Sequence, residues 1–357
     1  MTIRTTSRPR TIRHVDRQQG FVLPAVIAAV AVLALVAAVI GGWMADSLGR
    51  AAASQDRIEA DAQIHGVVQA IAWRLATGRL TADGLHGTSA QPVGQGRPTE
   101  PPGRVASGPA IAVDGRPYRS GPVTLRLMDG RGLYNLNAMD ELGLGELLRQ
   151  FGVPLDQRAL LTQSLLDYMT PPTPQAAPGL EDEAYQRAGL PPPRHRPLLT
   201  PWELQRVLHW ADTDTLWSGP AALPTVTGAD QVQGVNVNTA GLTVLLTIPG
   251  MSRATAEKVL DYRSRQVISN DAALLAAMGA EGRIDPLHNF TLPANTLRLS
   301  LRAPGEPLLQ LRSITLTPTG SAPTRIDYAV ALPPDRGDPP PAELVELPPV
   351  LTSPTGR

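Results

Sequence analysis

Few residues in this chain stand where side-chain types and spacing support covalent chemistry. The six histidines (His14, His65, His86, His195, His209 and His288) are scattered, and no two of them take the H-E-x-x-H spacing of a metal-bound pair. There is no cysteine, which removes disulfides, thiolate metal sites and thiol nucleophiles. No G-x-S-x-G turn offers an activated serine. The Gly-rich run at 94–98 (GQGRP) lacks the spacing and the following helix of a phosphate-binding loop. Four acidic residues, Asp167, Glu181, Asp182 and Glu183, gather on either side of a Pro-rich stretch; read from the residues alone they form a solvated acidic loop near a helix start. Trp73, Trp202 and Trp210 read as core anchors rather than a ligand cage. No catalytic constellation emerges, so the chain is expected not to be an enzyme.

The elements around these residues point to a membrane and to assembly. Arg4, Arg8, Arg10, Arg13 and Arg17 punctuate a polar leader, and residues 21–40 (FVLPAVIAAVAVLALVAAVI) follow without a charge. Twenty helical residues at ~1.5 Å each span ~30 Å, the thickness of a bilayer's hydrocarbon core. The arginines before the span place the leader in the cytoplasm and the bulk of the chain beyond the inner membrane, in the periplasm. A cleaved secretory signal has a shorter apolar core and a small-x-small site, for which Gly41-Gly42-Trp43 is a poor match. A signal anchor fits the length and the sidedness equally well. The whole chain carries 32 basic and 32 acidic residues, so no global field directs it to nucleic acid.

Beyond the span, Ile64, Val67, Val68, Ile71, Ala72 and Leu75 keep helical spacing, while Asp56, Arg57, Glu59, Asp61, Gln63 and Arg74 take other positions. The spacing predicts one continuous helix to about residue 80, ended by Gly78, Gly84 and Gly87. Residues 81–108 read as a loop, 109–113 and 122–128 as strands, and alternation at Leu297, Leu299 and Leu301 begins closing strands over 291–332. Between them, 135–290 reads as a helical insertion holding a repeat: NLNA (135–138), FGV (151–153) and LLDY (165–168), then NVNTA (236–240), IPGM (248–251) and VLDY (259–262). Each copy opens with Asn-x-Asn, read as a turn and N-cap pair, and continues as helix, Gly turn, helix. Residues 333–357 are Pro-rich and read as disordered.

The junction Gln18-Gln19-Gly20-Phe21, a Gly before an aromatic that opens an uncharged helix, resembles the processing site of type IV prepilins and pseudopilins. Together with the runs at 129–143 (DGRGLYNLNAMDELG), 165–186 (LLDYMTPPTPQAAPGLEDEAYQ) and 235–252 (VNVNTAGLTVLLTIPGMS), it makes the chain similar to the K proteins of type II secretion systems, large minor pseudopilins. The resemblance reaches to about residue 335. It implies an α+β pseudopilin fold: a long transmembrane and amphipathic helix with a small antiparallel sheet, interrupted by a large helical domain with two helix-turn-helix repeats. The expected layout is a cleaved leader (1–20), a transmembrane helix (21–43), its periplasmic continuation (44–80), loop and strands (81–134), the insertion (135–290), closing strands (291–332) and the tail (333–357).

The resemblance further implies cleavage after Gly20 by a prepilin peptidase, methylation of Phe21, and a tip complex with the I and J minor pseudopilins. The inner-membrane assembly platform and secreted substrates are further implied partners, and nucleic acid is not expected among them. Ala25 stands where the family usually has Glu, a loss that suits a subunit with none stacked above it, since an unpaired buried carboxylate is costly in a bilayer. The resemblance also implies calcium held by Asp167, Glu181, Asp182 and Glu183, although Met-Thr-Pro-Pro follows Tyr168 where relatives have more acids, and calcium takes six to eight oxygens. Two other readings are a membrane-anchored helix-hairpin-helix protein binding DNA in an uptake machine, through TIPGMSRATAEKVLDYR (247–263), and a type IV minor pilin.

Overall fold

The computed structural model describes residues 22–89, 105–171, 180–218, 222–280, 282–333 and 344–348. Two compact units are present, Met1–Arg57 and Ile58–Arg357, and helix α1 (Val22–Thr77) contributes to both. The architecture is α+β, a long apolar N-terminal helix and an antiparallel sheet around a helical insertion.

In the second unit α1 packs its apolar stripe on a sheet. Ala60, Ile64, Val67, Val68, Ile71 and Leu75 meet Tyr118, Val123, Leu125, Leu127, Leu297, Leu299, Leu301 and Ile314 in one core. Arg74 belongs to this face, contrary to the sequence reading. It lies seven residues after Val67 and three after Ile71, and its guanidinium reaches the Pro109 carbonyl at 3.3 Å. Trp73 is 49% exposed, so it is no core anchor.

The sheet holds six strands in the order β12-β11-β10-β5-β4-β13. They are β4 (Asp114–Ser120), β5 (Val123–Asp129), β10 (Thr296–Arg302), β11 (Leu309–Leu316), β12 (Thr324–Leu332) and β13 (Val345–Glu346). All neighbours are antiparallel except β13 on β4. The strands before the insertion thus pair with those after it. Leu297 faces Asp129 and Leu301 faces Leu125.

Two expectations need correction. The helix stops at Thr77, and part of the supposed loop is a second sheet of β1 (Arg79–Thr81), β2 (Gly84–Ser89) and β3 (Val105–Ile111). Leu85 anchors it, fully buried opposite Ile111; one apolar side chain in GLHGTS leaves no readable alternation. The tail is not wholly without structure. Val345 and Glu346 pair with Tyr118 and Arg119, the Glu346 carboxylate meets Arg119 at 2.7 Å, and the Leu347 amide donates to the Arg119 carbonyl. Residues 334–343 and 349–357 lie outside the described residues.

The insertion is a helical domain, as its sequence pattern predicts. Its helices are α2 (Glu141–Gln150), α3 (Leu155–Met169), α4 (Leu180–Arg187), α5 (Leu223–Val226), α6 (Leu242–Leu245), α7 (Arg253–Arg265) and α8 (Asp271–Met278). Two-residue parallel pairings lie between them: β6 (Tyr134–Asn135) with β7 (Thr227–Gly228), and β8 (Val235–Asn236) with β9 (Asn289–Phe290). A separate core built on Leu144, Leu147, Leu165, Trp210, Leu245 and Val259 holds it together. The indole of Trp210 donates to the Leu161 carbonyl at 3.0 Å, so the largest buried side chain leaves no polar atom unmet.

Both repeats are helix, tight turn, helix, and both turns need glycine. Gly152 and Gly250 each adopt φ of +76°, with open space around the position of a Cβ. The cost of a side chain there is backbone strain alone. Gly152→Ala and Gly250→Ala are each expected to lower stability by about 1 kcal/mol in urea melts. An unchanged midpoint in both would mean that the turns tolerate right-handed backbone.

Candidate functional site

The insertion is fastened to the sheet at one corner, and the Asn-x-Asn motifs do the fastening. In the first copy, Asn137 Nδ2 donates to the carbonyls of Leu198 (2.8 Å) and Ala229 (2.6 Å), and its Oδ1 accepts from the Leu198 amide (2.8 Å). In the second, Asn238 Nδ2 donates to the carbonyls of Ile268 (2.8 Å) and Thr291 (2.9 Å), and its Oδ1 accepts from the Ile268 amide (2.9 Å). Ala229 directly follows β7 and Thr291 directly follows β9, so the two asparagines occupy equivalent places. Neither is a helix cap. Asp140 caps α2 through the Gly143 amide, and Ser252 caps α7 through the Thr255 amide.

The leading asparagines converge on the end of β5. Asn135 Nδ2 donates to the Gly130 carbonyl at 2.9 Å, and Asn236 Nδ2 donates to Asp129 Oδ2 at 2.7 Å. Asp129 is fully buried and accepts three more bonds: from Thr239 Oγ1 (2.9 Å), the Ala294 amide (2.8 Å) and the Arg131 amide (3.1 Å). Burial raises its carboxyl above the usual range, opposed by these donors. All four partners can donate to it, and the Thr239 hydroxyl has a second acceptor in the Asn236 carbonyl at 3.4 Å. The Arg131 side chain lies 4.1 Å over the Phe290 ring and donates to the Gln233 carbonyl. From β10, buried Arg298 donates to the carbonyls of Pro224, Thr225 and Thr227 at the end of α5. The sequence marked the Asn-x-Asn motifs but not their acceptor, because Asp129 meets Asn236 across 107 residues and Ala294 across 165.

The N-terminal unit offers a surface of another kind. From Val22 to Ala45 no residue is charged, and every residue of this stretch is exposed; Leu23, Leu33 and Trp43 are about 70% exposed. This is the one helix among the described residues long and apolar enough to cross a membrane. Burying each such Leu, Val or Ile is worth roughly 1.5–3 kcal/mol, so the stripe demands lipid or partner helices. Ala25 sits in its first turns and adds no charge. Gly20 and Phe21 lie outside the described residues.

Three of the four acidic side chains lie among the described residues. Asp167 lies on α3 and accepts from Gln163 at 2.7 Å. Asp182 and Glu183 are exposed on α4, where consecutive residues point ~100° apart. The Glu181 side chain and residues 172–179 lie outside the described residues. Among the described residues no three acidic or imidazole side chains form a metal-holding group. The neighbouring carboxylate is structural. Burial pushes Glu203 up, but the Leu199 amide, Arg194 and the Tyr168 hydroxyl outweigh it and hold it below the usual range.

The basic groups of the second repeat turn to partners within the chain. Arg263 donates to the carbonyls of Val237 and Ala240, Arg253 stands 3.6 Å from Glu257, and Arg265 pairs with Asp261.

No protein-family model and no curated protein matches the chain. Among solved structures it is similar to a chain in the crystal structure of the GspK-GspI-GspJ complex from the enterotoxigenic Escherichia coli Type 2 Secretion System. The identity is 16% and the TM-score 0.38, over 63% of this chain and 84% of that one. A superposition this loose does not set the role.

Proposed function

We propose that this chain is a large minor pseudopilin, a non-enzymatic subunit that starts a type II secretion pseudopilus at its tip with other minor pseudopilins of the I and J kinds. The observation that carries the reading is a single 56-residue helix with two different halves. Its first half is uniformly apolar and exposed, and its second half lays an apolar stripe on an antiparallel sheet. A soluble domain has no use for the first half. A DNA-binding anchor has no use for one continuous helix that is first apolar throughout and then seated on a sheet. Extraction from the bilayer as partner helices pack on the exposed first half uses both.

The insertion supports the tip position, because it enlarges the subunit beyond a helix and a sheet. Ala25 supports it too: with no carboxylate in the span there is no need for a neighbour's amino terminus. The engaged arginines of the second repeat disfavour a phosphate-binding role for its turn.

The test is intact-mass spectrometry of the full chain made with and without a prepilin peptidase, beside Gly20→Asp. A product starting at methylated Phe21 is expected only with the peptidase and the native Gly20. An uncut chain in every case would remove the proposal and leave a signal anchor.

A further inference from the structure

A cavity of about 240 Å³ lies on the seam between the two repeats, lined among others by Tyr134, Asp140, Thr247 and His288. His288 Nδ1 lies 2.7 Å from Asp285 Oδ2. A carboxylate oxygen only accepts, so Nδ1 carries a proton. On the other side of the ring Nε2 stands 3.8 Å from Asp140 Oδ2. The pair lies beyond hydrogen-bond distance, and a cation joins it, either a proton on Nε2 or a metal ion between the two atoms.

We propose that His288 Nε2 and Asp140 Oδ2 bind a divalent transition-metal ion of the zinc or copper class, with Asp285 orienting the imidazole. Tetrahedral ligands at ~2.0–2.1 Å from zinc stand about 3.4 Å apart, so the pair closes by about half an ångström. The supports are already fixed. Asp140 Oδ1 accepts from the Gly143 amide at 2.7 Å, and Asp285 Oδ1 accepts from the Leu287 amide at 2.9 Å. A carboxylate that receives the distal N–H of a metal-bound imidazole is the usual outer support of such an ion. An imidazole nitrogen selects transition metals over calcium or magnesium. The site has two protein ligands, short of a three-residue cluster, and side-chain exposures of 29% and 42% leave the remaining positions to water. Asp140 begins α2 of the first repeat and His288 precedes β9 of the second, so the ion ties the repeats across their seam.

Copper and zinc ions alone are the probes, added to the full chain in detergent. With one equivalent of Cu²⁺, electron paramagnetic resonance is expected to show coupling to one imidazole nitrogen, and Zn²⁺ is expected to raise the melting temperature. His288→Ala abolishes both. Asp140→Asn, which keeps the helix cap, and Asp285→Asn each weaken binding by about tenfold or more. The wild-type melt of His288→Ala without metal checks that the variant folds. Binding that survives in His288→Ala belongs to another histidine and overturns the proposal. So does a seam that stiffens on acidification while ignoring both metals, because then only a proton bridges the pair.

Discussion

Asp129→Ala is expected to cost about 4 kcal/mol of stability, seen as an early urea transition of the insertion through the fluorescence of buried Trp210. The side chain accepts from Asn236, Thr239 and two amides in a fully buried corner, and none of those donors has water to turn to. Each orphaned donor costs roughly 1–3 kcal/mol, and relaxation recovers part of the sum. Asp129→Asn tells which form the fold holds. An amide turns one oxygen into a donor that faces other donors, so a cost of about 2 kcal/mol or more is expected if the native group is ionised. A neutral effect would mean that the native carboxyl is protonated, and would overturn the account of the corner.

The parts of this fold that show in the sequence are those written in local spacing. Ile64, Val67, Val68, Ile71 and Leu75 follow the helical period and bury on the sheet. Arg74 fits that period as well, but its charge argued for solvent, and only the Pro109 carbonyl shows why it goes inside. Leu297, Leu299 and Leu301 alternate as a strand should, yet Arg298 between them is also buried. Period 2 tells the two faces apart but not what covers the second, and here α5 does, through three carbonyls. Repetition exposed Asn135, Asn137, Asn236 and Asn238. Local rules made them turns and caps; Asn236 does turn, accepting from the Asn238 amide at 3.0 Å, but the partners of the trailing asparagines stand 61 and 92 residues from Asn137, and 30 and 53 from Asn238. The His288–Asp140 pair is illegible for the same reason: a single histidine far from any other carries no ligand spacing. Gly20 and Phe21 reverse the case, clear in sequence and outside the described residues.

A second carboxylate, on the opposite face of the sheet from Asp129, carries the opposite sign. Asp230→Asn is expected to stabilise the protein above pH 7 by about 2–3 kcal/mol, and to have no effect near pH 4. Asp230 is partly buried behind β11 and accepts from Ser313 Oγ at 3.3 Å. Burial and the nearby Asp327 carboxylate push it up to about 6, against the pull of Ser313 and Arg298. An unfolded aspartate titrates near ~3.9, so between about pH 4 and 6 the folded chain keeps a proton that the unfolded chain has released. Stability from this group is therefore fully present below about pH 4, is lost as pH rises through about 6, and stays lost above it. Asparagine never ionises, and its oxygen still accepts from Ser313. Asp327 keeps its own partners, Thr315 Oγ1 and Arg325 Nε, so relieving the repulsion frees nothing else. Urea midpoints of the two proteins at pH 4.5, 6 and 7.5 carry the same contribution from every other carboxylate, and their difference isolates this one. A gap that widens with pH supports the buried pair. A constant gap, or a less stable variant at pH 7.5, would mean that Asp230 earns its charge through Arg298 rather than bearing it against Asp327.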